Sequence, residues 1–402
     1  MSKHRAPLPS VYLAVLAAAV LCYAALGTVL SILPGYVPGR LDGGPTAIGL
    51  AVGAPALTGL LARPMGGRAA DRFGPLGPLL VGAGVMAAGA IPAAASATLA
   101  ALLLSRLAVG LGEGVMMSAT VLWLLRIAGP GRRGRALGHI GLANYGGLAL
   151  GPLVAAVLGG SRASTPVLWV AVVLPLLGAA AAISAHRTRS AGYADLSAAA
   201  GHRFQRRSSG LSTRVLLART APAGVGLLLV NVGYVSVLSF GAAVAQANAT
   251  GLQTLIVPVF AVVVIVSRTL AGGVPDRLGG RRTAVWFAGA EALGLLLYAN
   301  AASAFLAVAA LLALSVGQSL AVPGLGLLAL ADVPDADQGA AAGLFFSWFD
   351  AGVGLGGPTV GAVASLTGPI GALEAAAAAV ASAVTIALVV IRPDRARHPS
   401  SA

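Results

Sequence analysis

Charge is what this 402-residue sequence has least of: Asp, Glu, Lys and Arg together make up 9% of it, where soluble domains carry about 25%. So few charges cannot clothe a water-facing surface of that size, which excludes a soluble globular protein. Lysine is almost absent. The single one is Lys3, and a Walker-type phosphate loop needs a lysine after its glycines. The chain therefore has no ATP site of that kind, and an ion gradient is the expected energy source. Cysteine is nearly missing too: Cys22 alone excludes disulfides and thiolate metal clusters. The alternating strands of about ten residues that build a transmembrane barrel are not there. Of five histidines, His4, His186, His202 and His398 fall in polar ends or a polar linker, and only His139 opens an apolar run. Such scatter gives no cluster of ligands or bases, so neither an enzyme nor a metal or cofactor protein is expected.

What is there is apolar: 57% hydrophobic residues and a mean hydropathy of +0.89. The apolar residues come in runs of roughly 20, the length that crosses about 30 Å of hydrocarbon at 1.5 Å per residue. The 55 glycines and 23 prolines suit helices in lipid, where small residues let backbones approach. Twelve spans can be drawn: 11–33, 46–65, 76–95, 98–125, 136–159 and 166–185, then 214–245, 251–271, 283–302, 304–330, 339–366 and 369–391. The first is too long for a signal-peptide core and is expected to be retained. The reading is an all-α membrane protein of twelve transmembrane helices in two six-helix bundles. Residues 1–185 form the first bundle, 186–213 a polar, Arg-rich linker, and 214–402 the second bundle with a short tail.

The excess of positive charge, formally +14, is placed by topology and not by nucleic acid. Of the 26 Lys and Arg, Arg40 and Arg162 fall in one set of alternate loops and Arg106 inside a helix. The rest lie in the ends, the other loops and the linker. That asymmetry is the positive-inside pattern, and it puts both termini and the linker in the cytoplasm of a cell (inner) membrane. No aromatic-interleaved basic surface is present, so nucleic acid is not an expected partner.

The sequence also repeats. Arg63, Gly67, Asp71, Arg72 and Gly74 recur at a constant offset of 205 residues as Arg268, Gly272, Asp276, Arg277 and Gly279. Gly112, Glu113, Gly147 and Gly151 fall on Gly317, Gln318, Gly352 and Gly356 without a gap. Two six-helix halves of the same orientation follow, a design of transporters with a central site.

The stretch Gly67-Arg-Ala-Ala-Asp71-Arg72-Phe-Gly74 and its second copy, Gly272-Gly-Val-Pro-Asp276-Arg277-Leu-Gly279-Gly-Arg281-Arg282, resemble the loop signature of the major facilitator superfamily. The likeness covers nearly the whole chain. Pro75 and Pro78 stand where the signature has basic residues, which weakens the first copy's ion pairs. Physically, glycine permits close approach, and Asp71 can accept from the next helix's free N–H groups. Arg72 and Arg277 anchor the loops. These loops read as latches broken on each cycle, or as topology markers alone.

Arg106-Leu-Ala-Val-Gly110-Leu-Gly112-Glu113-Gly114 is similar to the helix 4 pattern of the family's proton-coupled members, with Val109 in place of Gln. Arg106 and Glu113 lie seven apart, hence on nearly one face about 10 Å apart. A charge near the bilayer centre costs at least about 2.5–3.5 kcal/mol and normally faces an internal cavity or partner. The pair is either a transport device or a structural one. Gly138, Gly147, Gly151 and Pro152 resemble the helix 5 antiporter signature of exporters, with Ala155-Ala156 replacing its closing glycines. In the second half, Asp350 stands at the position equivalent to Tyr145, Glu291 lies inside helix 9 and Glu374 near the end of helix 12. The proton-coupling candidates are Glu113, Asp350 and Glu291 in that order, tuned by Arg106. Tyr23, Asn144, Tyr145, Asn231, Tyr234, Gln318 and Trp348 are candidates to line a substrate cavity, or else to be satisfied interhelical bonds. Trp123, Trp169 and Trp286 are read as anchors at the membrane interface.

The resemblance implies a drug:proton antiporter-type exporter, carrying small amphipathic or hydrophobic compounds by alternating access. A lone intramembrane arginine argues against highly anionic substrates. A proton-coupled importer or sugar exporter of the same fold, or a non-transporting receptor, remains open. The expected partners are a small-molecule substrate, protons and lipid, with no ATP, and the chain is expected to act as a monomer.

Overall fold

The computed structural model describes residues 10–128, 133–159, 164–187, 211–334 and 337–389. Most of the linker, together with Lys3, Arg162 and the C-terminal tail, lies outside the described residues. All regular structure among the described residues is helical. The first six helices are α1 (Ser10–Arg40), α2 (Pro45–Phe73), α3 (Leu76–Ala95), α4 (Leu99–Ala128), α5 (Arg133–Val157) and α6 (Ser164–Arg187). The next four are α7 (Thr213–Ala247), α8 (Ile256–Ala271), α9 (Gly280–Ala299) and α10 (Ala304–Leu330). The run Gln338–Val389 is broken at Gly368, whose φ of +78° and ψ of 177° no helix contains. It is therefore two helices, α11 (338–367) and α12 (369–389), with Pro369 opening the second. Among the described residues that makes twelve long helices, plus the short turn Val274–Leu278.

Nine of the helical stretches, counting the Gly368-broken run once, are long and apolar enough by themselves to cross a membrane. The remaining helices are α8, of only 16 residues, and α9, which carries Arg281, Arg282 and Glu291. Large apolar side chains stand outward on many of them: Leu61, Phe73, Trp286, Phe305 and Leu366 are all more than two-thirds exposed. In water such a surface would aggregate. In lipid it is the solvent-matched face, and the chain is a multi-pass membrane protein.

The chain divides into two compact units between Arg206 and Arg207. In the first, α4 packs on α2 and α3, α1 on α5 and α6, and α3 on α6. The second repeats these pairings, α10 on α8 and α9, α7 on the α11–α12 run, and that run on α9. Small residues make both sets of contacts possible. A Cβ on Gly147 would lie 2.5 Å from Val20 O, and one on Gly27 2.5 Å from Leu148 O, so α1 and α5 meet backbone to backbone. Their counterparts repeat the seam, with Gly352 facing Leu228 O at 2.6 Å. Gly147 and Gly151 of α5 thus serve contact with α1 of their own unit.

Adjacent glycines give an internal control. Gly147→Ala forces a methyl into Val20 and Tyr23 and is expected to destabilise by about 1–3 kcal/mol. Gly146→Ala meets nothing within 4 Å and should be neutral or slightly stabilising. Thermal melting of the two purified variants checks the difference.

Candidate functional site

The sequence stretch read as a loop is mostly helix. α2 continues through Phe73, so Gly67, Asp71 and Arg72 sit on its last turns and only Gly74 makes the turn. Gly74 has φ +81° and ψ 161°, and Gly279 has φ +79° and ψ 156°. This is backbone that essentially only glycine adopts, which is why both copies of the repeat end in it. Gly67 meets nothing within 4 Å; the close approach belongs to its neighbour Gly66, where a Cβ would lie 2.6 Å from Val115 Cα. Gly272 packs only on its own Arg268 carbonyl, and α8 ends at the preceding residue. Asp276 and Arg277 occupy the short turn that follows.

Asp71 does not cap the next helix. α3 begins after Pro75 with no side-chain cap, and the Asp71 carboxylate instead pairs with Arg126 Nη2 at 3.2 Å, tying α2 to the end of α4. Arg72 lies over the Phe73 ring at 5.1 Å. In the second unit the basic residue after the repeat has its own anchor: Arg281 Nε donates to Ala387 O at 3.1 Å, and its Nη2 to Leu388 O, joining α9 to the end of α12.

The centre of the first unit is Glu113. It is 6% exposed. Its Oε1 accepts a hydrogen bond from the Tyr23 hydroxyl and pairs with Arg63 Nη2 at 3.4 Å. The glycines around it explain how a charged residue reaches both partners. Gly114 faces Gly59 O on α2, where a Cβ would lie 2.6 Å away, and Gly110 faces Pro55 on the same helix. Gly112, on the other flank, meets Gly82 O and Met86 N on α3 at 2.5 and 2.6 Å. A helix pinned on both sides by backbone contact leaves Glu113 one direction, toward α1 and α2.

Arg106 is not the partner of Glu113, which corrects the pairing read from their spacing. Its Nε donates to Ala51 O at 2.8 Å, and the side chain, 2% exposed, borders a cavity of about 20 Å³. Ala25, Val29, Met86, Ala90 and Ser105 line that cavity with it, and its walls are almost wholly apolar. One residue per 1.5 Å keeps Arg106 and Glu113 on one face but about two turns apart. That gap is too wide for contact, and α2 supplies a different partner at each level, the Ala51 carbonyl for Arg106 and the Arg63 guanidinium for Glu113. Arg63, the ion-pair partner of Glu113, is the residue that sequence reading passed over. Its one signal was its place at the head of the five-residue repeat.

In the second unit Glu291 is 1% exposed, Asn231 0% and Gln318 1%. The Gln318 amide lies between the other two. Asp350 is also buried, at 3%, one turn from Phe346 on α11. Of the remaining cavity candidates, Tyr23 and Tyr234 are 7% exposed, and Tyr234 packs on Phe260 and Phe349 at 5.6 and 6.1 Å between ring centres. Trp348 lies against Gly224 of α7. Asn144 donates to Met117 Sδ at 3.8 Å, and its Oδ1 is buried without a hydrogen-bond donor. Tyr145 is half-buried beside it. Gly138 and Pro152 lie within α5.

Two expectations at the margins resolve differently. Trp123 is 1% exposed and packs edge-on against His186 at 6.3 Å, so it is a core residue and not an interface anchor. Trp169 and Trp286 are exposed. Glu374 is exposed and accepts from Asn300 Nδ2 at 2.9 Å.

Twelve helices in two repeated six-helix units define a polytopic carrier fold. The Major Facilitator Superfamily pattern matches residues 15–357, and the chain belongs to that family, whose members are transporters and not enzymes. It is 31% identical over 385 residues to an uncharacterized MFS-type transporter of Pseudomonas aeruginosa, covering 94% of this chain and 92% of that protein. A counterpart from Burkholderia mallei is 30% identical over 377 residues, covering 92% and 89%. Among solved structures, the nucleoside transporter NupG superposes with a TM-score of 0.73 at 15% identity, covering 94% of this chain and 97% of that one. The xylose transporter XylE of E. coli gives 0.75 at 13%, covering 96% and 99%. At such identities these likenesses concern the fold alone.

Because Tyr23 and Arg63 bind the same carboxylate oxygen, their effects are expected to be coupled. In a Tyr23→Phe, Arg63→Met double-mutant cycle read by thermal melting, the interaction energy should fall in the range of about 0.5–3 kcal/mol. Additive losses would mean that the two contacts are independent.

Proposed function

We propose that this transporter is a proton-coupled antiporter that exports small amphipathic or hydrophobic compounds across the inner membrane, with both termini in the cytoplasm. The observation that carries the reading is the buried Glu113 carboxylate, shared at one oxygen by a phenol hydroxyl and a guanidinium. An ionisable group in hydrocarbon is costly and marks an ion or proton path. When Glu113 takes a proton, its attraction for Arg63 collapses and the carboxyl becomes a donor. The α1–α2–α4 contact then has two bonding arrangements, one for each protonation state. A two-state element biased by a proton is what coupling requires. Asp350 and Glu291 are the corresponding candidates of the second unit. The Asp71–Arg126 pair, with Asp276 as its counterpart, is proposed as a latch at the helix ends.

Export is favoured over uptake by the helix 5 glycines, Gly138, Gly147 and Gly151 with Pro152, which resemble the exporter pattern. The apolar and aromatic character of Tyr145, Tyr234 and Trp348 favours amphipathic or hydrophobic substrates. A proton-coupled importer or a sugar exporter of the same fold is the competing reading.

Direction and coupling are separable in membrane vesicles. Inverted vesicles with an acid interior are expected to accumulate a fluorescent lipophilic cation, and a protonophore should abolish the uptake. Glu113→Gln keeps an acceptor for Tyr23 but cannot exchange a proton, so its gradient-driven accumulation should fall to background while the protein stays folded. Uptake of the probe by right-side-out vesicles under an acid exterior would favour the importer. Equal accumulation by Glu113→Gln would remove Glu113 from the coupling path.

A further inference from the structure

The repeat sets up a comparison that the first unit alone does not offer. Position 112 contacts position 86 across α4 and α3, where a Cβ on Gly112 would lie 2.6 Å from Met86 N. At the 205-residue offset the same contact recurs: a Cβ on Gly317 would lie 2.6 Å from Glu291 N. In the first unit the carboxylate stands on the central helix, at Glu113, and its neighbour across the seam is Met86. In the second unit the central helix carries an amide, Gln318, and the carboxylate has crossed to the neighbour, Glu291. The acid has moved from the central helix to its neighbour across the seam.

The geometry around Gln318 has two solutions. Turned one way, its Nε2 donates to Asn231 Oδ1 at 3.4 Å. Turned the other way, it donates to both Glu291 oxygens, at 3.0 and 3.1 Å. A carboxylate only accepts, while a carboxylic acid also donates. The second orientation therefore fits ionised Glu291. The first fits protonated Glu291, whose O–H donates to Gln318 Oε1. The chain of donors then runs on without conflict, from Gln318 Nε2 to Asn231 Oδ1, and from Asn231 Nδ2 to Leu227 O at 2.8 Å.

We propose that Glu291, Gln318 and Asn231 form a proton-linked hydrogen-bond relay in the second unit, in which the Gln318 amide turns over when Glu291 gains or loses its proton. Gln318 acts here as a positioning residue, reporting the protonation of α9 to α7. This rests on the proton-coupled reading above and adds the second unit's own proton-responsive element to it.

Among the described residues, no ion pair joins Glu291 to another charged side chain. α10 contains no titratable residue. On α7, Arg214 and Arg219 lie more than two turns before Asn231, and Tyr234 turns its ring to Phe260 and Phe349. On α12 the neighbour is Val380, beside Gly233, while Glu374 is bonded to Asn300 at the helix's outer end. On α9 itself, Arg281 is bound to Ala387 and Leu388, and Tyr298 donates to Gly241 O. Asp350 stands on α11, which reaches this seam through Gly352 against the Asn231 Cβ at 2.8 Å. Gly233 completes the enclosure, with room for no Cβ beside Glu291 Oε1 at 2.6 Å. With all three side chains sealed, proton exchange waits on movement of the α7–α9–α10 seam, which couples the proton to that movement.

The test reads bonds and not transport, so it stands or falls separately from the vesicle assay on Glu113. Infrared difference spectra of the purified full chain are recorded between about pH 5 and about pH 9, a range centred on neutrality. The carboxylic-acid carbonyl band of Glu291 is assigned by its loss in Glu291→Gln. The Gln318 amide band is assigned by its loss in Gln318→Met, or by side-chain isotope labelling of glutamine in the wild type if that variant does not fold. The acid band is expected to disappear as the pH rises, together with a shift of the Gln318 amide band, and Asn231→Leu should move the midpoint of both. An acid band that persists throughout, or one absent throughout, would make Glu291 a fixed strut and overturn the relay. Loss of the acid band with an unchanged Gln318 band would overturn the amide turn.

Discussion

The cost of holding an ionisable side chain away from water governs how both units are built. Hydrocarbon offers no hydrogen bonds, so Glu113, Arg106 and Glu291 each need a protein partner at bonding distance. Those partners sit on neighbouring helices, and they come within reach only if the helices nearly touch. Glycine supplies that approach. Gly110 and Gly114 press α4 onto α2, Gly112 presses it onto α3, and Gly317 repeats the contact beside Glu291. Packing and polar chemistry are here the same feature seen from two sides: enlarge a seam glycine and the carboxylate next to it loses its bond.

Oε1 of Glu113 serves both Tyr23 and Arg63, so α1, α2 and α4 meet at one atom. In the second unit an amide stands where the first has the acid, and the bonds pass through Asn231 into α7. The repeat thus conserves the helix contacts while changing which side carries the ionisable group. A gene duplication preserves backbone geometry more readily than side-chain chemistry, since packing tolerates few substitutions at a glycine seam.

Much of this could be read beforehand at the level of helices. Twelve spans followed from run lengths, and the two-unit division from the 205-residue repeat. The break at Gly368 separates α11 from α12 where the apolar pattern also placed a boundary. What sequence reading missed was direction. Arg106 and Glu113 share a face by spacing, yet bond to different partners on different turns of the neighbouring helices. Asp71 had a plausible partner in the next helix's N–H groups, but the end of α4 brings Arg126 nearer. Trp123 looked interfacial because it stands near a helix end, and proves buried because α6 brings His186 over it.

The sequence by itself determined that this is a lipid-embedded carrier of two repeated six-helix halves, because hydrophobic run length, charge scarcity and periodic recurrence are one-dimensional properties. It also marked Gly74 and Gly279 as matching positions of the two copies. Only the tertiary structure decided which carboxylate meets which base, since that depends on helix rotation and on contacts 50 or more residues apart, such as Arg63 with Glu113. A residue's spacing fixes the face it lies on; the neighbour that occupies that face is set by how the glycine seams let the helices close.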